Sequence, residues 1–348
     1  MNISGVVLAL GSEQSGSELR AAVGAAALLR VANRPLAHHA VDLLLEAGVS
    51  GRIVVAASAG TRPELRRGLD EFAGSAATVS YIEVPRKSGP VDALLAALSR
   101  IGPGPVVVVT GDGLVVDGLR RAIERFLADE IDVAVLSVID HADVVVAAGV
   151  GRHPTLARSA PVGVQIFSPF ALEVASRHEM CAGSAADLDD LVGAVREAGG
   201  LTDVEIVPRG WCHTGGDSSV LVANAMMLDW LVARARGREE LNPDVPGHAF
   251  VHPTATVERS TLRGPVTIGP GARVIDAYVG PYTAVGAEAV IEGSEIEYSI
   301  VLDRAKISFV SSRIEGSLIG SSARVSQTFT RPSGLRVHLG SDHSLSLG

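Results

Sequence analysis

Cysteine is nearly absent: 348 residues contain two, Cys181 and Cys212. That excludes a disulfide-stapled scaffold and fits a reducing, cytoplasmic compartment. Lysine is as rare, at Lys87 and Lys306, and arginine carries nearly all the positive charge. A lysine-dependent phosphate site in the first 240 residues has only Lys87 to draw on. No apolar run reaches the roughly 18 residues needed to cross a membrane, and no basic segment leads into an apolar stretch at the N-terminus. Cationic excess is missing too. The net charge of −9 argues against nucleic acid or an anionic membrane as the main partner. What is present is apolar: hydrophobic residues make up 47% and charged residues 20%. That is enough for a sizeable core, and the length favours two domains.

The chain opens with an apolar run, Val6 to Leu10, which reads as a buried strand. A polar loop bearing Gly11 and Gly16 follows. A glycine loop at the carboxyl end of a first strand can turn free N–H groups toward a phosphate; it can equally be a surface turn. Strand-like and helix-like segments then alternate. Helices are expected at Leu36–Ala47, Arg62–Phe72, Gly89–Leu98, from a cap at Asp117 to Leu127, Pro169–His178, Asp187–Ala198 and Ser219–Arg236. Strands are expected at Arg52–Ala57, Val79–Val84, Pro105–Thr110, Val133–Ile139, Ala142–Val150, Val162–Phe167 and Val204–Val207. This predicts an α/β domain with a doubly wound sheet over residues 1–238, its ligands at the carboxyl ends of the strands.

Turn residues over 239–250 mark a linker. Beyond it the sequence repeats: Val251, Ile268, Val285, Leu302 and Ile319 stand 17 residues apart. Val257, Leu262, Val274, Val279, Ile291 and Ile296 fill the intervals, with Gly269, Gly280, Gly286 and Gly320 placed to turn corners. Three aliphatic positions per coil predict a three-sided parallel β-helix over 251–330, loosening between Ile307 and Ile314. Residues 331–348 read as a hairpin capping its last edge.

The first strand and loop, with Leu19–Arg20 and Val31–Ala32–Asn33–Arg34–Pro35, resemble the start of the sugar-1-phosphate nucleotidylyltransferases. That family reads L-A-G-G-x-G-T-R-L-R-P, then P-K, then P-x-x-N-K-P. The segments RGPVTIGPG, AYVGPYTAVG and VIEGSEIEYSIVL resemble the C-terminal left-handed β-helix of its long thymidylyltransferases. The resemblance thus spans nearly the whole chain. It implies a mixed, Rossmann-like nucleotidyltransferase sheet followed by a left-handed parallel β-helix. It also implies transfer of a nucleotidyl group from an NTP to a sugar 1-phosphate, with Mg²⁺ and cationic side chains between the two polyanions.

Mapped residue by residue, the resemblance puts nucleotide binding at Ala9, Gly11, Gly16 and Gly89, and sugar binding at Gly163. Asp112 takes the first metal position. His213, in Trp211–Cys212–His213, takes the second, with Asp217 nearby as a substitute if the loop is re-routed. The charged chemistry is altered. The catalytic Arg falls on Glu18, the P-K pair on Ala25 and Ala26, and histidine is a poor Mg²⁺ ligand. The resulting expectation is a thymidylyltransferase homologue, inactive or altered. It would bind a nucleotide or sugar nucleotide, or serve as oligomeric partner of itself or an active paralogue, and need no metal cofactor if inactive. The alternative is an active enzyme with a re-routed site that uses Asp112, Lys87, Arg20 and Mg²⁺.

Overall fold

The computed structural model describes residues 3–10, 26–59, 65, 77–111, 113–139, 159–182, 186–212, 217–235 and 248–327. Its first part is built on β1 (Ser4–Ala9), β2 (Arg30–Val31), β3 (Arg34–Pro35), β4 (Arg52–Ser58), β5 (Thr78–Val84), β6 (Val106–Thr110), β7 (Gly113–Asp117), β8 (Val133–Ile139), β9 (Ser159–Phe167), β10 (Thr202–Ile206) and β11 (Arg209–Cys212). The helices are α1 (Leu36–Glu46), α2 (Pro90–Leu98), α3 (Leu119–Ala128), α4 (Pro169–Ala182), α5 (Leu188–Glu197) and α6 (Asp217–Ala235). Seven strands form one sheet in the order β10-β8-β9-β6-β1-β4-β5. All neighbours run parallel except around β9, which is antiparallel to both β6 and β8.

The continuous apolar strands follow from burial on both faces. Along β1, Val7 joins a core with α1 and α3, while Val6 and Leu8 join another with α2, α4 and α5. The sheet is therefore the middle of three layers, as the alternation predicted. Four strands were not foreseen: the short β2 and β3, and the pair β7 and β11. β7 begins at Gly113 and pairs antiparallel with the short β11. Asp117 is not a helix cap: it ends β7, and Gly118, at φ +91°, makes the turn into α3. Of the Arg62–Phe72 helix only Leu65 is described. The Ala142–Val150 strand and the 331–348 hairpin lie outside the described residues, as does most of the 239–250 linker.

The second part is a β-helix of parallel three-strand coils. One column stacks Ala249–Val251, Val266–Ile268, Thr283–Val285, Ile300–Val301 and Leu318–Ile319. The second stacks Thr256–Glu258, Arg273–Ile275, Val290–Glu292, Lys306–Ser308 and Arg324–Ser326. The third stacks Thr261–Leu262, Tyr278–Val279, Glu295–Glu297 and Ile314–Glu315. Ile268, Val274, Val279, Val285, Ile291, Ile296 and Ile307 are buried along its axis. Three expectations need correction. Val257, in the first coil, is 36% exposed. Val285 pairs with Val301, sixteen residues on, and not with Leu302; Val301 pairs with Ile319, eighteen on. The short coil loses a residue between Ile296 and Val301. The long one gains two between Ile307 and Ile314, where the repeat loosens. Finally, Gly269, Gly280 and Gly286 do not turn corners with left-handed backbone; Asp276, Tyr282, Glu288 and Arg304 do. These glycines are demanded by the next coil. A Cβ on Gly286 would stand 2.7 Å from Asp303 N, and one on Gly269 2.9 Å from Ala287 N.

The two parts share a core. Leu29, Val31, Leu36, Trp211, Leu221 and Trp230 cluster with Ile300, and Tyr282, Tyr298, Leu302 and Leu318 pack against them. Leu302 left the β-helix axis for this junction. Polar contacts fix the register. Asn33 Nδ2 donates to Val285 O (2.8 Å) and to Thr267 Oγ1 (3.3 Å). The amide of Asn224, on α6, accepts from Ala32 N–H (2.8 Å) and donates to Tyr282 O (2.9 Å). Arg30 pairs with Asp303 at 3.5 Å, but the arginine is 41% exposed, so this pair is worth under about 1 kcal/mol.

Thr283 is fully buried inside the β-helix, and among the described residues its Oγ1 has no hydrogen-bond partner. A lone buried hydroxyl is destabilising, and valine has the same shape. Thr283→Val is expected to stabilise the protein by about 1 kcal/mol, read as a raised denaturation midpoint at unchanged slope.

Candidate functional site at the carboxyl edge of the sheet

The carboxyl ends of β1, β4, β5 and β6 lie on one edge, because these strands are parallel neighbours. Ala9 ends β1 there, with its side chain in the core. Gly111 N–H donates to Leu8 O (2.7 Å), which draws the exit of β6 against that of β1. A Cβ on Gly111 would come within 2.7 Å of the same carbonyl. Ala9 and Gly111 are thus brought together.

Gly163 joins them from β9. The ladder to β8 breaks between Leu136 and Ser137, and Val162–Gly163 bulges there. Gly163 takes φ +67°, and Thr110 Oγ1 donates to its carbonyl at 3.0 Å. A Cβ at this position would lie 2.2 Å from Thr110 Oγ1 and 3.1 Å from Gly113 Cα. Backbone conformation and close packing therefore account for this glycine without a ligand.

Lys87 is exposed in the turn after β5, closed by Ser88 N–H to Pro85 O at 3.0 Å. Gly89 precedes α2 at φ −71°, a conformation open to any residue, and its N–H donates to Asp92 Oδ2 at 3.3 Å. That carboxylate competes with any ligand for the Gly89 N–H. Packing of α2 over β1 and β4, through Val91 and Leu94, carries Gly89 back across the edge.

Gly11, Gly16, Glu18, Arg20, Asp112 and His213 lie outside the described residues. Asp217 is the first residue of α6, and its backbone alone is described. The sequence neighbours of the two metal positions are described: Gly113 and Cys212 face each other at the end of the β7–β11 ladder. Among the described residues, no three His, Cys, Asp or Glu side chains gather as a metal-ligand group. Ala26 opens a 3-10 turn, Ala26–Leu28, whose Ala27 and Leu28 are buried.

The Asn33 motif proves to be a hairpin. Ala32 and Asn33, at φ 45° and 65°, form a two-residue left-handed turn between β2 and β3. The fully buried His39 supports it, its Nε2–H donating to Val31 O at 2.8 Å. Burial lowers the His39 pKa from the ordinary 6.5 to about 3; Arg34 and His38 push the same way, and the Val31 bond opposes them. Sequence reasoning missed Asn224 and Thr110, which carry no motif and matter through long-range contacts.

The comparisons with known proteins agree with this architecture. Residues 6–167 match the family described as a MobA-like NTP transferase domain. A glucose-1-phosphate thymidylyltransferase of Streptomyces antibioticus is 31% identical over 347 residues, covering 95% of this chain and 96% of the relative. One from Streptomyces griseus is 29% identical, covering 91% and 92%. The low-salt glycan biosynthesis nucleotidyltransferase Agl11 of Haloferax volcanii is 28% identical, covering 99% and 100%. A crystal structure from Bacillus anthracis, designated a glucose-1-phosphate thymidylyltransferase in complex with sucrose, superposes with a TM-score of 0.53 at 19% identity, over 64% of this chain and 94% of that one. The fold is that of the nucleotidyltransferases. Within it, this chain belongs to the sugar-1-phosphate nucleotidylyltransferase family. No described helix is long and apolar enough to cross a membrane.

Two measurements test this local structure. Gly163→Ala is expected to cost about 2 kcal/mol or more, from left-handed backbone strain plus the Thr110 clash, seen as a lowered denaturation midpoint. His39 gives a pH signature. The unfolded chain protonates this histidine below about 6.5 and the folded chain only near 3. Its stabilising contribution is full above pH 6.5 and drains as pH falls toward 3, by about 1.4 kcal/mol per unit. His39→Gln keeps a donor for Val31 O, so its stability should fall less steeply than wild type over that window.

Proposed function

We propose that this chain is a catalytically altered thymidylyltransferase homologue. It binds a nucleotide or sugar nucleotide at the carboxyl edge of the sheet and transfers the nucleotidyl group slowly or not at all. The observation that carries this reading is Ala26. At the family's lysine position stands a methyl group, opening a turn whose next two residues are buried. Glu18 at the arginine position and His213 at the second metal position add to it. Each lost preorganised charge typically costs about 10²–10³ in rate, and the losses need not add. An anion at position 18 also repels a triphosphate.

When bound, Mg²⁺ would offset phosphate charge. Of the two family metal positions, Asp112 alone offers it a hard oxygen, and His213 suits it poorly. The named relatives suggest dTTP and glucose 1-phosphate as first substrates to try. A cytoplasmic location fits the two cysteines. A role as an oligomeric partner, to itself or to an active paralogue, would leave the same kept frame.

The second reading is an active enzyme that relies on Asp112, Lys87 and Arg20, with Asp217 as the further carboxylate. The β7–β11 ladder favours it, since Gly113 still faces Cys212. Pyrophosphate release from dTTP, other NTPs and a panel of sugar 1-phosphates, with Mg²⁺ or Mn²⁺, separates the two. Nucleotide binding by calorimetry without release is the expected outcome. Turnover on the order of 1–10³ s⁻¹, abolished by Asp112→Asn, would establish the second reading instead.

A further inference from the structure

Gln165 is polar in an apolar layer. It stands opposite Val108 of β6 and Val135 of β8, on the face of the sheet that packs α2, α4 and α5. The residue is only 7% exposed, and among the described residues its Oε1 has no hydrogen-bond partner. Its Nε2 is directed at Asp189 Oδ1, 3.4 Å away. A leucine would pack here without leaving a buried carbonyl unpaired. The amide is therefore costly to the core, and the one group it is aimed at is the Asp189 carboxylate.

Asp189 lies in the first turn of α5, where three carboxylates gather. Asp187 caps the helix, its Oδ1 accepting from Leu188 N–H (2.7 Å), and Asp190 Oδ2 accepts from Asp187 N–H (3.1 Å). Asp189 has no such duty: among the described residues Gln165 is its one hydrogen-bond partner, and no cation pairs with it. Partial burial and the charge of Asp187 push its carboxyl pKa up; the Gln165 bond opposes them, and Asp190 adds to the rise. This turn borders the carboxyl edge. Val91 N–H donates to Ala186 O (3.4 Å), which sets the start of α5 beside the start of α2, where Gly89 and Asp92 stand. Gln165 is two residues past Gly163 on β9. This flank of the candidate site is thus acidic and offers acceptors.

We propose that Asp189, aimed by Gln165, is the counterion for a protonated amine on the sugar of the bound ligand, so that this chain takes an amino-sugar phosphate, or the sugar nucleotide made from it, in preference to the neutral sugar. Asp189 is the binding residue and Gln165 a positioning residue. The inference rests on the sugar-nucleotide reading above. An ammonium brings both the charge and the N–H donors that a carboxylate lacks, whereas a sugar hydroxyl brings a donor alone. Mg²⁺ fits less well, because it demands a full octahedron of oxygens and no three acidic, His or Cys side chains gather as a ligand group among the described residues.

Calorimetry decides it. Glucose 1-phosphate is compared with forms carrying an amine in place of each ring hydroxyl in turn, and with N-acetylglucosamine 1-phosphate, whose nitrogen is uncharged. One amino form is expected to bind about tenfold more tightly than glucose 1-phosphate. Asp189→Asn should cut that preference to about twofold or less. Gln165→Leu should cut it too while raising the denaturation midpoint, with Gln165→Met in reserve should the leucine variant fail to fold. A merely structural glutamine would move the midpoint and leave the preference alone. No preference for any amino form would overturn the inference, and so would a preference that survives in Asp189→Asn. Titration of dTTP into the same sample keeps the two readings apart. Binding of dTTP without an amine preference overturns this inference alone; binding of neither dTTP nor any sugar phosphate overturns both.

Discussion

Two residues in left-handed backbone, Ala32 and Asn33, hold the protein together. Neither is glycine, so the turn is held against its own preference. What holds it is a ring of buried or half-buried hydrogen bonds: Asn224 on the Ala32 N–H, His39 on the Val31 carbonyl, and the β-helix on the Asn33 amide. Leaving one such buried group unpaired costs about 1–3 kcal/mol, whereas the exposed Arg30–Asp303 pair is worth less than one. The buried amides therefore decide how the two parts meet, and the surface charges follow.

This arrangement gives the β-helix a part in the first domain's architecture. α6 lies between them with apolar residues over most of its surface: Val220, Leu221, Ala223, Met227, Leu228 and Trp230 are all buried. A helix of that kind needs partners on more than one side. It has the β2–β3 hairpin and β7 on one, and the column bearing Thr283–Val285 on the other.

Much of this was legible in the sequence, and the gaps have physical causes. The parallel strands announced themselves through apolar runs such as Val106–Val109. The β-helix was legible through its period, because each coil repeats one structural demand. What failed was whatever depended on a neighbour far along the chain. β7 looked like a loop after the glycines, since its partner β11 lies almost a hundred residues away. Leu302 fits the 17-residue period in sequence, but the junction claims it, and the one-residue deletion that turns it outward has no mark of its own. At the site, the frame glycine Gly163 was visible, whereas the reason for it, contact with Thr110 Oγ1, was not. The hydrogen bond from Gly89 to Asp92 could not be read from a motif, because any acidic residue in the first helical turn can make it.

The off-period coils bear on how such a protein can change its length. The anchors on the β-helix, from Thr267 through Tyr282, Val285 and Ile300 to Leu318, belong to consecutive levels of one column. Adding or deleting a whole coil among them would shift the later anchors by one strand spacing, about 4.8 Å, and none would then meet its partner. Coils added before Ala249 or after Ser326 would leave every anchor where it is. A change in coil number is therefore compatible with this junction only at the two ends of the β-helix.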